Sequence, residues 1–261
     1  MNTESLDFST MSYPDLVAFM QQENTPPGGS YALDYLIENS GITSSSHLLD
    51  LACSTGYSSR YCYEKVGSSA VGIDLSSSSV KVANATSSAM DATGNLHYQV
   101  ADACALPFEK ESFSHVLGGC NFGFIQDRRL ALSECHRVLK PTGTLCISNF
   151  FFRNPPPEHI LNSVEAALGW RPEPSWTYDY WKDFFVTGGF KLGSEFTYEL
   201  FAENEEVLAN RVMCYLTEEN PSTKVIPTHQ QKNLYNHFFE IRKSLNAQKD
   251  FQGVAFQIWH K

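Results

Sequence analysis

The 261-residue sequence has no Lys/Arg run longer than two, and acidic residues outnumber basic ones 29 to 19, for a net charge of −10. A duplex-binding protein needs a basic footprint to replace the counterions of the phosphate backbone, so no nucleic-acid partner is expected. The seven cysteines (53, 62, 104, 120, 135, 146 and 214) are odd in number and form no C-x-x-C pair. That scatter argues against a zinc site or a disulfide framework and suits reduced thiols in a cytoplasmic protein. The eight histidines show no H-E-x-x-H or comparable spacing, so no metal is expected. No apolar stretch approaches the roughly 18 residues of a membrane-spanning helix. The segment "MNTESLDFSTMSYPDL" lacks the basic and apolar regions of a secretory leader, so no membrane partner is expected either.

What is present is enough for a core. At 261 residues, 42% hydrophobic and 18% charged, the chain is enough for one large α/β domain or for a core domain with insertions. From residue 47 to about 150, short apolar runs alternate with amphipathic segments. Strands are expected at 47–51, 70–74, 96–101, 114–119 and 143–150, with helices at 56–66, 76–92 and 127–139. This rhythm predicts a parallel sheet with helices on both faces. The serine run 76–79 reads as helix capping, because hydroxyls accept from the free N–H groups of a first turn. In "RVLKPTGTLCISNF" a helix ends at Lys140, Pro141 cannot continue it, and Gly143 permits the turn into the next strand. Residues 151–181 hold five of the 12 prolines within 151–176 and read as a cap with one short helix. A helix, turn and strand follow, then two helices at 204–219 and 229–247, and "FQGVAFQIWH" closes the chain as a strand.

Acidic residues sit at the ends of the early strands. Asp50 ends "HLLDL", Asp74 ends "SAVGID" 24 positions later, and Asp102 follows "YQVA". A carboxylate is a natural bidentate acceptor for a diol. The landmarks "LLDLACSTG", "AVGIDLS", "VADACALPF" and "ECHRVLKPTGTL" resemble, in order and spacing, the core of class I S-adenosylmethionine-dependent methyltransferases of the small-molecule type. The resemblance implies an α/β, Rossmann-like seven-stranded sheet, mostly parallel with an antiparallel last strand. It also implies helices on both faces, an N-terminal helical lid and helical insertions. One domain would span 1–261, with the lid at 1–46, the cofactor core at 47–150, the cap at 151–181 and a helical insertion at 202–249.

The resemblance further implies S-adenosylmethionine as cofactor, lying across the C-terminal strand edges where ligands of open α/β sheets collect. Asp50 and the turn Ala52, Cys53, Ser54 and Gly56 would hold its methionine portion, and Asp74 its ribose hydroxyls. Leu75 would pack on the adenine, Asp102 would accept from its amine, and Ala103 would offer a backbone N–H. The segment 118–122, with Cys120, would line the reacting end. The family commonly has D-x-G-x-G-x-G in the first turn; here Ala52 and Ser54 replace two glycines. Close approach survives these small residues provided that positions 52 and 54 do not need positive φ. A pyrophosphate needs its glycine loop, so a cofactor without phosphate is expected.

Plainer readings stand beside these. Asp74 alone could simply cap the following helix; with Asp50 and Asp102 at matching strand ends, ribose binding is the better account. Cys53 and Cys120 read as small packing residues, His115 as a core histidine and His97 as surface or packing. The turn "PPGG" before the core could bring backbone N–H groups, Gly29 among them, to the cofactor carboxylate, or could be a plain helix connection. Trp176 and Tyr178 are candidates for a pocket wall. Tyr13, Asn121 and Tyr178 are candidates for orienting the acceptor more than for removing its proton.

The expected reaction is methyl transfer to a small-molecule acceptor, in secondary metabolism. A cyclase or lyase that releases methylthioadenosine after attack by the cofactor's own amine, and a non-catalytic binding scaffold, are the rivals. A homodimer is compatible with the sequence.

Overall fold

A computed structural model describes residues 7–261. Its seven strands form one sheet in the order β3-β2-β1-β4-β5-β7-β6, with β7 antiparallel to the rest. In chain order the strands are β1 (His47–Leu51), β2 (Ser69–Asp74), β3 (Leu96–Val100), β4 (Phe113–Gly119), β5 (Leu139–Phe152), β6 (Lys191–Glu199) and β7 (Gln252–His260). The helices are α1 (Tyr13–Phe19), α2 (Gly29–Ser40), α3 (Tyr57–Val66), α4 (Ser77–Ala89), α5 (Arg128–Val138), α6 (Glu158–Leu168), α7 (Tyr178–Thr187), α8 (Glu205–Cys214) and α9 (Thr228–Ala247). None of these helices is long and apolar enough to cross a membrane.

The chain divides into two compact units. The larger comprises 23–151, 178–198 and 254–261 and contains the sheet. Leu48, Leu49, Val116 and Leu145 are fully buried, as near-continuous apolar strands covered on both faces require. Sheet order reverses between β1 and β4, which pair in parallel as Leu48↔His115 and Asp50↔Leu117. Strand-to-helix links here are short and specific. Ser76 caps α4, its hydroxyl accepting from the Ser79 N–H at 3.2 Å, as the serine run predicts. Asp127 does the same for α5 through the Leu130 N–H at 3.0 Å.

Among the boundaries that differ from the sequence reading, α4 ends at Ala89 rather than 92 and α5 at Val138 rather than Lys140. β5 begins at Leu139 rather than 143, with a register irregularity between its pairs Phe113↔Leu139 and His115↔Thr144. Pro141 has no N–H for the ladder, and the irregular segment spares it that bond. Gly143 serves by its size: a Cβ there would lie 2.8 Å from the Lys140 carbonyl oxygen.

The second unit comprises 7–22, 152–177 and 199–253 among the described residues and is built on helices. Leu16 and Met20, Leu208 and Val212, and Leu234, Phe238 and Ile241 bring the apolar stripes of α1, α8 and α9 into one cluster with Phe8. The Asn220 amide donates to the Met20 carbonyl at 2.9 Å, and His237 contacts the Met11 carbonyl at 2.7 Å, so polar bonds also hold the N-terminal segment in this unit. Segment 204–219, expected as one helix, is α8 followed by a π-helical turn, Tyr215–Glu219.

Candidate active site

The larger unit brings Asp50, Asp74 and Asp102 to one edge of the sheet. Asp50 lies beside Gly72 in β2, Asp74 pairs with Val100 in β3, and Asp102 follows two residues on. The Asp74 carboxylate is half-buried and accepts from two backbone donors, Ser54 N–H at 2.9 Å and Ser76 N–H at 2.8 Å. Each of its oxygens retains a further lone pair. Leu75, next in sequence, is 72% exposed, an apolar side chain presented at the end of β2. Asp102 is exposed and accepts from the Cys104 N–H at 2.8 Å, which holds its loop, while Ala103 is buried.

The first turn takes a different form from the expected one. Ala52 and Ser54 both adopt positive φ, +50° each, as does Gly56 at +79°. The replaced glycines therefore stand at positions that do require left-handed backbone, and the chain bears the strain. Asp50 is 4% exposed, and its Oδ2 accepts from the Ser59 N–H at 3.1 Å and the Ser59 hydroxyl at 2.6 Å. Burial pushes its carboxyl up to about 6, although the Ser59 bonds and the Arg60 charge oppose that rise. Arg60 is itself buried; it pairs with Glu23 at 2.7 Å and donates to the Thr55 carbonyl. Its guanidinium is thus committed to protein acceptors instead of presenting a cation for phosphate.

The loop after β4 also carries a non-glycine residue with left-handed backbone, Cys120, with φ +45°. Its N–H donates to the Ser148 carbonyl at 2.8 Å. Asn121 is 7% exposed; its amide nitrogen donates to the Leu51 carbonyl, whereas its buried Oδ1 has no donor. This bond joins the loop after β4 to the end of β1. Pro26 packs on Gly119, where a Cβ would come within 2.9 Å of it, and the Ser148 hydroxyl donates to the Pro27 carbonyl. The "PPGG" turn therefore docks on the β4 and β5 strand ends. Gly29 has φ +57°, but its N–H already donates to the Pro26 carbonyl at 2.8 Å.

The other candidates have different surroundings. The Tyr178 hydroxyl donates to the Glu195 carboxylate at 2.6–2.7 Å, and burial together with that carboxylate raises its pKa. Tyr13 belongs to the helical unit, where burial raises its pKa against the opposing Arg242 charge. Trp176 is buried in that same unit. Burial raises the Cys53 thiol and pushes that of Cys120 up to about 11, so both stay protonated, consistent with packing roles. His115 is buried, with Nε2 3.1 Å from the Ser40 carbonyl, and burial lowers its pKa; His97 is exposed. A cleft of about 420 Å³ lies between α5 and α7, lined by Gln126, Arg129, Asp183 and Phe184 among others, and none of the three strand-end carboxylates lines it. Among the described residues, no group of three or more His, Cys, Asp or Glu could hold a metal ion.

The sequence reading missed Ser59 and Tyr98, which build the Asp50 environment. A signal existed for Tyr98: it pairs in register with Gly72, and a Cβ on that glycine would lie 2.4 Å from its ring. A glycine opposite a large aromatic is a size complement, readable once strand pairing is known.

Residues 49–147 match the family model described as a methyltransferase domain. The crystal structure of MccD protein superposes with a TM-score of 0.84 and 47% identity, covering 91% of this chain and all of that one. A Haemophilus influenzae protein is 31% identical over 176 residues, 67% of this chain and 70% of its own length. An O-methyltransferase of Pyrenophora dematioidea is 35% identical over 118 residues, and the match spans only 44% of that enzyme. The acidic strand ends, the exposed Leu75 and a turn offering no free cation fit S-adenosylmethionine, the cofactor of the methyltransferase family. The chain belongs to the class I S-adenosylmethionine-dependent methyltransferases.

Proposed function

We propose that the protein transfers the methyl group of S-adenosylmethionine to a small-molecule acceptor of secondary metabolism. The observation that carries this reading is the placement of Asp74 at the end of β2 and of Asp102 two residues beyond its register partner Val100, at one sheet edge, with Leu75 exposed next to Asp74. Asp74, fixed by two backbone N–H groups, would accept from both ribose hydroxyls. Leu75 would cover the adenine, with Asp102 accepting from its amine and the Ala103 N–H completing the recognition. Asp50 and the turn Ala52, Cys53, Ser54 and Gly56 would hold the methionine portion. Gly29 would contribute by setting the left-handed entry into α2, since its own N–H is used within the turn.

When bound, the cofactor supplies a methyl group already activated by its sulfonium charge. The protein's work is then to align the acceptor, exclude water and, for some acceptors, take up a proton. Asn121 is the first candidate for alignment, because its buried Oδ1 can accept a hydrogen bond that the protein does not supply. Cys120 would line the reacting end through its backbone. Tyr178 would orient the acceptor after exchanging its bond to Glu195. No residue is assigned as a base.

Incubating the protein with S-adenosylmethionine and an acceptor panel, with adenosyl products read by mass spectrometry, tests the reading. Methyl transfer gives S-adenosylhomocysteine. Methylthioadenosine would instead mean that the cofactor's own chain is cut or cyclised, and tight binding without any product would leave a scaffold.

A further inference from the structure

Tyr98 lies in β3, outside every segment assigned to the cofactor above, and is 6% exposed. Its ring fills the room that two glycines leave open. A Cβ on Gly56 would come within 2.6 Å of the ring, and one on Gly72 within 2.4 Å. The Tyr98 hydroxyl is 3.1 Å from the Ser59 hydroxyl and 3.4 Å from the Gly56 carbonyl oxygen. Ser59 Oγ stands 2.6 Å from Asp50 Oδ2. A serine hydroxyl has one proton and two lone pairs. With that proton on the carboxylate, the tyrosine is left as the donor to Ser59, and a chain runs from Tyr98 through Ser59 to Asp50. Successive bonds of this kind polarise and strengthen one another in a buried site.

We propose that Tyr98 is a positioning residue of the cofactor site, acting through Ser59 to keep Asp50 ionised and fixed beside the Ala52–Gly56 turn. The proposal rests on the reading of that turn as the methionine-binding segment. Asp50 is faced by Arg60 of α3, whose charge favours the carboxylate, and by Asp74 at the end of β2, whose charge opposes it. The thiols of Cys53 and Cys62 lie nearby, and burial raises both, so they stay neutral. Burial pushes the Asp50 carboxyl up to about 6, so the Ser59 relay acts where small changes decide its charge.

The test is S-adenosylhomocysteine affinity, measured by calorimetry from pH 5 to 8 on the full chain, for wild type, Tyr98→Phe, Ser59→Ala and the double variant. Wild-type affinity should fall as pH drops through about 6. Tyr98→Phe keeps the ring and loses the relay, so the midpoint should move up by roughly half a unit or more, with high-pH affinity retained. Ser59→Ala should move it in the same direction, and adding Tyr98→Phe to Ser59→Ala should move it no further. An unmoved midpoint in Tyr98→Phe, whether affinity is unchanged or uniformly lower, overturns the relay and leaves Tyr98 as packing. Asp50→Asn separates the two layers. If it binds like wild type, the turn assignment fails; if it binds weakly while Tyr98→Phe leaves the midpoint in place, only the inference about Tyr98 fails.

Discussion

The fold and the cofactor role proposed for it make opposite demands on Asp50. Its carboxyl is raised from 3.8 to about 6 by burial. A raised pKa means that the folded state holds the proton more tightly than the unfolded chain. The resulting stability is full below the unfolded value near 4 and lost as pH rises through about 6. At neutral pH the ionised Asp50 therefore costs the apo protein up to about 3 kcal/mol. Asp50→Asn should raise apo thermal stability at pH 7.5 and leave it little changed at pH 4, while weakening S-adenosylhomocysteine binding; thermal melts at both pH values check this. Ala52 and Ser54 make a related point about backbone. Left-handed φ costs a non-glycine residue roughly 1 kcal/mol, partly offset because glycine gains more chain entropy on unfolding. Ala52→Gly with Ser54→Gly should then raise the melting temperature by about 1–4 °C and keep cofactor affinity. A fall in either would mean that the two side chains make contacts of their own. The carboxylates themselves were legible in the sequence, because each ends a recognisable apolar run. The strain was not, since a small residue in place of glycine does not reveal its φ.

Elements with a strong period or a clear cap follow the sequence closely. β1 occupies His47–Leu51, as the apolar run predicts, and α4 starts at the serine cap. Where the sequence reading drifted, tertiary context decided. β5 starts four residues early because Leu139 pairs with Phe113 across an irregularity that accommodates Pro141. The family resemblance implies a lid for the N-terminal helices, but the burial of Leu16 and Met20 with Phe8 has no local sequence signal, since it depends on α8 and α9 some 190 residues later. Leu16 is fully buried, so Leu16→Ala should destabilise the helical unit by about 2–5 kcal/mol. Hydrogen exchange should show faster exchange in α9, with β1 and β4 far less affected. Equal loss of protection in both would show that the two units open as one.

At the scale of the whole molecule, the acidic chain meets a cofactor that carries net positive charge through its sulfonium and ammonium groups. With a chain charge of −10, S-adenosylmethionine binding should weaken with added salt more than methylthioadenosine binding does, because long-range attraction is screened. The larger unit also links distant segments around the proposed site: Glu23 to Arg60, Pro27 to Ser148, and Asn121 to Leu51. Cofactor binding should then protect residues 23–30 and 118–123 from hydrogen exchange together. The ribose contact proposed for Asp74 fixes where the cofactor lies. Calorimetric titration of S-adenosylhomocysteine into wild type and folded Asp74→Ala measures it. Loss of charge-assisted bonds worth about 1.5–3 kcal/mol each predicts at least about a ten-fold weaker affinity. An unchanged affinity would contradict the placement of the cofactor along this edge of the sheet.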